Sequence, residues 1–119
     1  MSYDFNNETP IYLQIIEEIK QRIITSRYTS NQKIPSVREL ALEFEVNPNT
    51  VVKSLSELEN VGLIFTDSTN GKFVTLNKET IKNAKEKAIN SMVENFLTHA
   101  KILGLTKQEI IDILKRKEQ

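Results

Sequence analysis

The chain contains no cysteine, which excludes both disulfide frameworks and thiolate metal sites. Glycine is scarce, and the three glycines lie far apart at Gly62, Gly71 and Gly104, so no glycine-rich loop exists to cradle a phosphate. The single histidine, His99, falls in a helical pattern with no second ligand at metal spacing. No Ser/His/Asp arrangement or His-Glu zinc motif stands out, and Glu17, Glu18, Glu57 and Glu59 read as scattered surface acids. The expectation is a protein that is not an enzyme, with no catalytic residues, no metal and no cofactor. Apolar runs of the roughly 18 residues needed to cross a bilayer are also missing. The N-terminus lacks the basic-then-apolar order of a secretory leader, so a cytoplasmic location with no membrane partner is expected.

An excess of positive charge is missing too. The chain holds 16 basic and 16 acidic residues. Residues 1–76 carry seven Lys/Arg against ten Asp/Glu, net −3, and residues 77–119 carry nine against six, net +3. Nucleic-acid-binding modules usually show a basic excess. Any such reading must rest on the placement of individual charges. The length of 119 residues fits one domain, or one small domain with an extension.

What is present is a pair of helix starts eleven residues apart, at Ser36 and Asn47. Ser36-Val37-Arg38-Glu39 is a capping box, with serine at the cap and glutamate three residues on. Asn47-Pro48 supplies a capping side chain followed by proline at the first helical position. The first helix has room for only about two turns and buries Val37, Leu40, Ala41 and Phe44. The second turns Val51, Leu55 and Leu58 inward and Asn49, Lys53, Ser56 and Asn60 outward. Two short helices joined by a tight turn, the second with a polar outer face, are the sequence form of a helix-turn-helix. Double-stranded DNA is the leading partner.

The flanks extend the pattern. Thr9-Pro10 reads as the start of a leading helix whose Tyr12, Ile15, Ile16, Ile19 and Ile23 form an apolar stripe. Arg27–Lys33 carries no periodicity and reads as a loop. After Val61-Gly62 closes the second helix, Leu63–Thr66 and Phe73–Leu76 are strand candidates. They are joined by Asn70-Gly71, a hairpin signal in which both turn positions favour positive φ. A hairpin at this place is a wing, and Lys72 just past its tip is a candidate phosphate contact.

Asn77 opens a second regime. No proline or glycine interrupts Lys78–Leu103, where Ile81, Ala84, Ala88, Met92, Phe96 and Ala100 recur at helical spacing. Gly104 stops the helix, and Thr106-Lys107-Gln108-Glu109 is another capping box that opens a last one. A helical pair of this size has little core of its own, so packing against a second copy is expected. The expected architecture is mainly α with a small β-hairpin. It comprises a flexible N-terminus (1–8), a winged helix-turn-helix (9–76) and a helical hairpin for dimerisation (77–119).

These residues resemble the GntR family of bacterial winged-helix transcription regulators. The resemblance is carried by Pro10-Ile11-Tyr12-Leu13-Gln14-Ile15, Ile34-Pro35-Ser36-Val37-Arg38-Glu39-Leu40-Ala41 and Val46-Asn47-Pro48-Asn49-Thr50-Val51. It continues through Leu58-Glu59-Asn60-Val61-Gly62-Leu63-Ile64 and Gly71-Lys72-Phe73-Val74. The short helical C-terminal part is similar to the YtrA-like subfamily. The resemblance implies a homodimeric repressor of a palindromic operator, often serving genes for ABC-type transporters. It also implies DNA contact by Arg38, beside the cap Ser36, by Asn47, Asn49, Thr50 and Lys53 at the start of the recognition helix, and by Gly71 at the wing tip. Thr69 and Asn70 replace the family's first wing glycine and its basic neighbour, which weakens the wing's grip on a minor groove. Ser26, Asn31 and Glu45 stand where the family has glycine, so positive φ is expected at non-glycine residues. The rival reading is a winged helix that docks protein rather than DNA, which the net charge of the first 76 residues favours. Neither reading identifies the operator, the regulated genes or a small-molecule effector.

Overall fold

The computed structural model describes residues 4–117. The chain divides into two compact units, with the boundary between Ala84 and Lys85. The first unit holds α1 (Ile11–Ile24), α2 (Val37–Phe44), α3 (Pro48–Asn60), β1 (Ile64–Asp67) and β2 (Gly71–Val74). Helix α4 (Lys78–Ile102) begins in it and supplies residues to the second unit, which ends in α5 (Lys107–Arg116).

The apolar stripes become the core. Ile15, Ile19 and Ile23 of α1 meet Leu40 and Phe44 of α2 and Val51, Leu55 and Leu58 of α3, all at most 2% exposed. Ile81 and Ala84, on the first turns of α4, pack at its edge. Truncating one of these buried aliphatic side chains to alanine costs about 2–5 kcal/mol. The outer stripe of α3, Asn49, Lys53, Ser56 and Asn60, is exposed throughout.

Helix α1 starts differently from the sequence expectation. Pro10 occupies the cap position, one residue later than expected, and no side chain caps the helix. Gln14 holds the entry instead. Its Nε2 donates to the carbonyls of Asn6 (2.9 Å) and Thr9 (2.7 Å), and its Oε1 accepts from the Asn6 N–H (3.0 Å). Of the N-terminal segment expected to be loosely held, residues 1–3 lie outside the described residues. Phe5 sets its ring 6.0 Å from that of Phe44.

The turn between α2 and α3 closes at Glu45, in the left-handed region at φ 56°. Among the described residues, the non-glycine residues with positive φ are Ser26, Asn31 and Glu45, the positions at which the resemblance implies it. Ser26 and Glu45 each cost roughly 1–2 kcal/mol relative to glycine, and Asn31 less, because asparagine tolerates the left-handed region.

The hairpin pairs Ile64 with Val74 and Asp67 with Gly71, so both strands sit one or two residues away from their sequence assignment. The turn is a three-residue loop and not the expected Asn70-Gly71 pair. Only Gly71 has positive φ (106°). The carboxylate of Asp67 organises the loop by accepting from the Thr69 N–H (3.1 Å), the Thr69 hydroxyl (3.0 Å) and the Asn70 amide (3.3 Å). Residues 31–34, which overlap the expected Arg27–Lys33 loop, run along the other edge of β2. The Asn31 N–H donates to the Val74 carbonyl (3.0 Å), Val74 N–H to Gln32 (2.9 Å) and Ile34 N–H to Lys72 (2.9 Å).

Among the described residues, one charged side chain is buried. Arg22, 3% exposed, donates from Nε to Glu18 (2.9 Å), from Nη1 to the Tyr28 hydroxyl (2.6 Å) and from both Nη atoms to Glu43 of α2. Burial alone would lower its pKa, but the hydrogen bonds to Glu43, Glu18 and Tyr28 outweigh that and raise it. The guanidinium stays charged and ties α1, the following loop and α2 together.

In the second unit, Gly104 (φ 83°) turns the chain. Thr106 caps α5, with both arms of the box formed. Among the described residues from Lys85 on, only Ala100 and Ile110 are buried, while Met92 is 65% exposed, Phe96 50% and Leu114 58%.

Replacing Arg22 with methionine roughly keeps the volume but removes the buried guanidinium that Glu43, Glu18 and Tyr28 share. The expected loss is about 2–4 kcal/mol, seen as a lower denaturation midpoint. An unchanged midpoint would show that the ion-pair cluster contributes nothing net.

Candidate nucleic-acid interface

Two helix starts and a hairpin supply the site. Ser36 is exposed at the cap of α2. Its hydroxyl accepts from the Glu39 N–H (3.1 Å), and the Ser36 N–H donates to the Glu39 carboxylate (2.9 Å). These bonds hold the Glu39 carboxyl below its ordinary pKa, the bond from the Ser36 backbone contributing most. Arg38 is exposed on the first turn, with no ion pair or hydrogen bond from its side chain among the described residues. The short α2 therefore presents one uncommitted guanidinium beside a rigid cap.

At α3, Asn47 is the exposed cap, and its side chain accepts from the Asn49 N–H (2.8 Å). The Thr50 N–H reaches the Asn47 carbonyl (2.9 Å), and Pro48 has no N–H. Free N–H groups at a helix start would suit a phosphate, but proline, the cap side chain and the Asn47 carbonyl leave none in the first turn of α3, so its side chains must carry any contact. Asn49 is exposed and Thr50 half-buried. Lys53 is exposed, with its ammonium 3.9 Å from the centroid of the Tyr12 ring. That arrangement holds a lysine by cation–π attraction without neutralising it.

Helix α3 is fixed in rotation as well as position. Ser54, fully buried, donates its hydroxyl to the Tyr12 carbonyl of α1 (2.8 Å) and to that of Thr50 (3.1 Å). One turn of α1 thus sets the register of α3 and, through the Tyr12 ring, the direction of Lys53. Tyr12 carried only a core assignment in the sequence; its second role requires knowing which helix faces it.

Gly71 is exposed at the first position of β2. Lys72 is half-buried, its ammonium 3.0 Å from Glu59 and 2.7 Å from the Thr66 hydroxyl. Glu59 lies near the C-terminal end of α3, about ten residues and roughly 15 Å along the axis from Asn49. The structure therefore brings Asn47, Asn49, Thr50 and Lys53 together on α3 and Ser36 with Arg38 on α2. It holds Lys72 at the opposite end of α3.

Among the described residues no cluster of His, Cys, Asp or Glu could hold a metal ion. Among the described residues no helix is long and apolar enough to cross a membrane.

A short capped helix, a tight turn, a second helix with a polar outer stripe and a hairpin behind it define a winged helix-turn-helix, the DNA-binding architecture of transcription regulators. The chain belongs to the GntR family, described as bacterial regulatory proteins, whose family model matches residues 11–74. Over 115 residues it is 36% identical to the uncharacterized HTH-type transcriptional regulator YhcF of Bacillus subtilis, covering 97% of this chain and 95% of that protein. It is 34% identical to the HTH-type transcriptional repressor YtrA of the same organism, covering 94% and 87%, which supports the YtrA-like subfamily. Among solved structures, a GntR family transcriptional regulator from Listeria monocytogenes superposes with a TM-score of 0.90 at 37% identity, covering 96% of this chain and all of that one. The AraR DNA-binding domain in complex with operator ORX1 superposes with a TM-score of 0.57 at 29% identity, covering 63% and 95%. These relatives are regulators of transcription and not enzymes.

The anchor of the hairpin is pH-sensitive. Hydrogen bonds from Thr66 and Lys72 hold the Glu59 carboxyl below its ordinary value of 4.5. A carboxyl lowered on folding stabilises the fold above its unfolded pKa and loses that contribution as pH falls through the lowered value. In an NMR titration Glu59 should turn over below pH 4.5, and a midpoint at or above it would contradict the Glu59–Lys72 pairing. In Glu59→Gln the corresponding part of the acid-induced destabilisation disappears.

Proposed function

We propose that this protein is a dimeric repressor that reads a palindromic operator through Arg38, Asn47, Asn49, Thr50 and Lys53, with Ser36 and Gly71 shaping the approach. The observation that carries this reading is the exposed polar stripe of α3. Its inner face is locked to α1, and beside it the guanidinium of Arg38 has no partner among the described residues. Asparagine at Asn49 can donate to and accept from an adenine edge, and an arginine suits a guanine edge or a phosphate. Thr50 and Asn47 suit phosphates. Lys72, tied to Glu59, fits a structural part in the wing better than a DNA contact.

The dimeric reading rests on the second unit. Ile89, Met92, Val93 and Phe96 form an exposed apolar row on α4, with Ile111 and Leu114 exposed on α5. A contiguous apolar surface of this kind marks an interaction site, and a second copy presents the matching surface by two-fold symmetry. Two heads then meet half-sites about one helical turn, or a multiple of it, apart. Repression and service to ABC-type transporter genes follow the YtrA-like resemblance.

Selection of bound duplexes from random oligonucleotides, matched to a genome, would give the operator. Arg38→Ala should then weaken operator binding by about 1–3 kcal/mol, roughly 5- to 150-fold. Unchanged gel-shift affinity would remove Arg38 from the interface. A response to salt that is flat across random DNA would favour a protein-docking role instead. Phe96→Glu combined with Met92→Glu should give a monomer by light scattering with weaker operator binding; a double variant that stays dimeric would refute this interface.

A further inference from the structure

We propose that Lys33, a residue of the segment before α2, is a further phosphate-contacting cation of the DNA interface, held beside the wing by the missing side chain of Gly71. The inference rests on the DNA-binding reading above and adds a residue to it.

Residues 1–76 contain seven Lys/Arg, and most have partners inside the fold. Lys20 pairs with Glu17 at 3.2 Å, Arg22 is buried among acids, and Arg27 lies 3.7 Å from Glu18. Lys72 is bound to Glu59, and Lys53 rests on the Tyr12 ring. Arg38 and Lys33 remain, exposed, with no ion pair or side-chain hydrogen bond among the described residues. In a head of net −3, uncommitted cations are the groups that can answer phosphates.

The position of Lys33 is defined on two sides. Its backbone bridges Phe73 of β2, and the next residue donates to the Lys72 carbonyl, so Lys33 is built into the edge of the hairpin. Its side chain crosses Gly71. A β-carbon added at Gly71 would sit 3.1 Å from Lys33 Cε and 3.8 Å from Nζ. On the other side, its charge is among the causes that lower the Glu39 carboxyl, after the hydrogen bonds from Ser36. Lys33 thus lies between the tip-side end of β2 and the capped start of α2 that carries Arg38. An ammonium there meets the backbone of a duplex engaged by α2 and α3 without reading its sequence, as a phosphate contact does. Lys72 precedes Phe73 on the same strand, but its ammonium is committed to Glu59.

The test uses the full chain and a random-sequence duplex, followed by fluorescence anisotropy from about 50 to 200 mM salt. The variants are Lys33→Met, Lys33→Gln, Lys33→Arg and Lys72→Met, each checked for a retained fold by circular dichroism and a cooperative melt. Losing one phosphate contact reduces the slope of log affinity against log salt by about 0.9, or about 3.5-fold less loss over that range, per bound protomer. Lys33→Met and Lys33→Gln are expected to show that reduction, Lys33→Arg to restore the wild-type slope, and Lys72→Met to leave it unchanged. A wild-type slope retained in both neutral Lys33 variants, or lost only in Lys72→Met, overturns the proposal while DNA binding stands. A wild-type protein with no salt dependence overturns the DNA-binding reading itself.

Discussion

The rotation of α3 about its own axis is the constraint on which the rest depends. With successive residues about 100° apart, turning Val51, Leu55 and Leu58 inward forces Asn49, Lys53, Ser56 and Asn60 outward. Hydrophobic burial alone sets that rotation only coarsely, because an apolar stripe is wide. The Ser54 hydroxyl on the Tyr12 carbonyl narrows it. The Thr50 carbonyl that shares this hydroxyl moves with α3, whereas the Tyr12 carbonyl does not, so a small rotation of α3 gives up a buried inter-helix hydrogen bond worth roughly 0.5–1.5 kcal/mol, which slippage among leucines would not. Because the same tyrosine ring lies under the Lys53 ammonium, one residue of α1 aligns both the inside and the outside of α3. The buried Arg22 performs the related task for α2 through Glu43. Both helix starts that form the candidate interface are therefore oriented from α1, a helix that contributes no residue to the recognition stripe.

The electrostatics follow from how few cations are left. A net-negative head cannot rely on a broad positive field to draw DNA, and internal pairing removes most of its basic residues from consideration. What is left is local: one guanidinium on a rigid cap, one lysine over an aromatic ring, and one lysine along the hairpin edge. On the proposed reading such a surface would give weak, salt-sensitive attraction and leave more of the discrimination to the amide and hydroxyl groups of Asn47, Asn49 and Thr50. The polar stripe and the negative head are compatible for that reason, and the net charge that favoured a protein-docking reading loses much of its weight.

Local chemistry was legible in the sequence, and pairing across the fold was not. The capping boxes at Ser36 and Thr106 formed as read because both arms lie within one turn of chain. The inward stripes of α1 to α3 were readable from period alone. The strained positions at Ser26, Asn31 and Glu45 followed only from the family resemblance, which implies glycine there; nothing in the periodicity marks them. The hairpin register was misread because Asn70-Gly71 is a strong local signal, yet Asp67 satisfies three donors with its own carboxylate and selects a longer loop. The start of α1 was misread because Gln14 reaches back across the entry, which no capping pattern describes. The commitment of Lys72 to Glu59, and the edge pairing of residues 31–34 with β2, join residues far apart in sequence.

The second unit presents the opposite balance from the first. Its helices are well specified locally, with a glycine stop and a complete capping box, yet only two of its described residues are buried. Caps and propensity each contribute about a kilocalorie, whereas the entropy of ordering grows with every residue in the helix. A helical pair with almost no interior leaves that cost unmet within one chain. Its exposed row of isoleucine, methionine, valine and phenylalanine is the surface from which the missing burial has to come. On the proposed dimeric reading, association would be a condition for ordering these helices as well as a means of pairing two reading heads, so the spacing of the heads would be only as well defined as the packing of that apolar row.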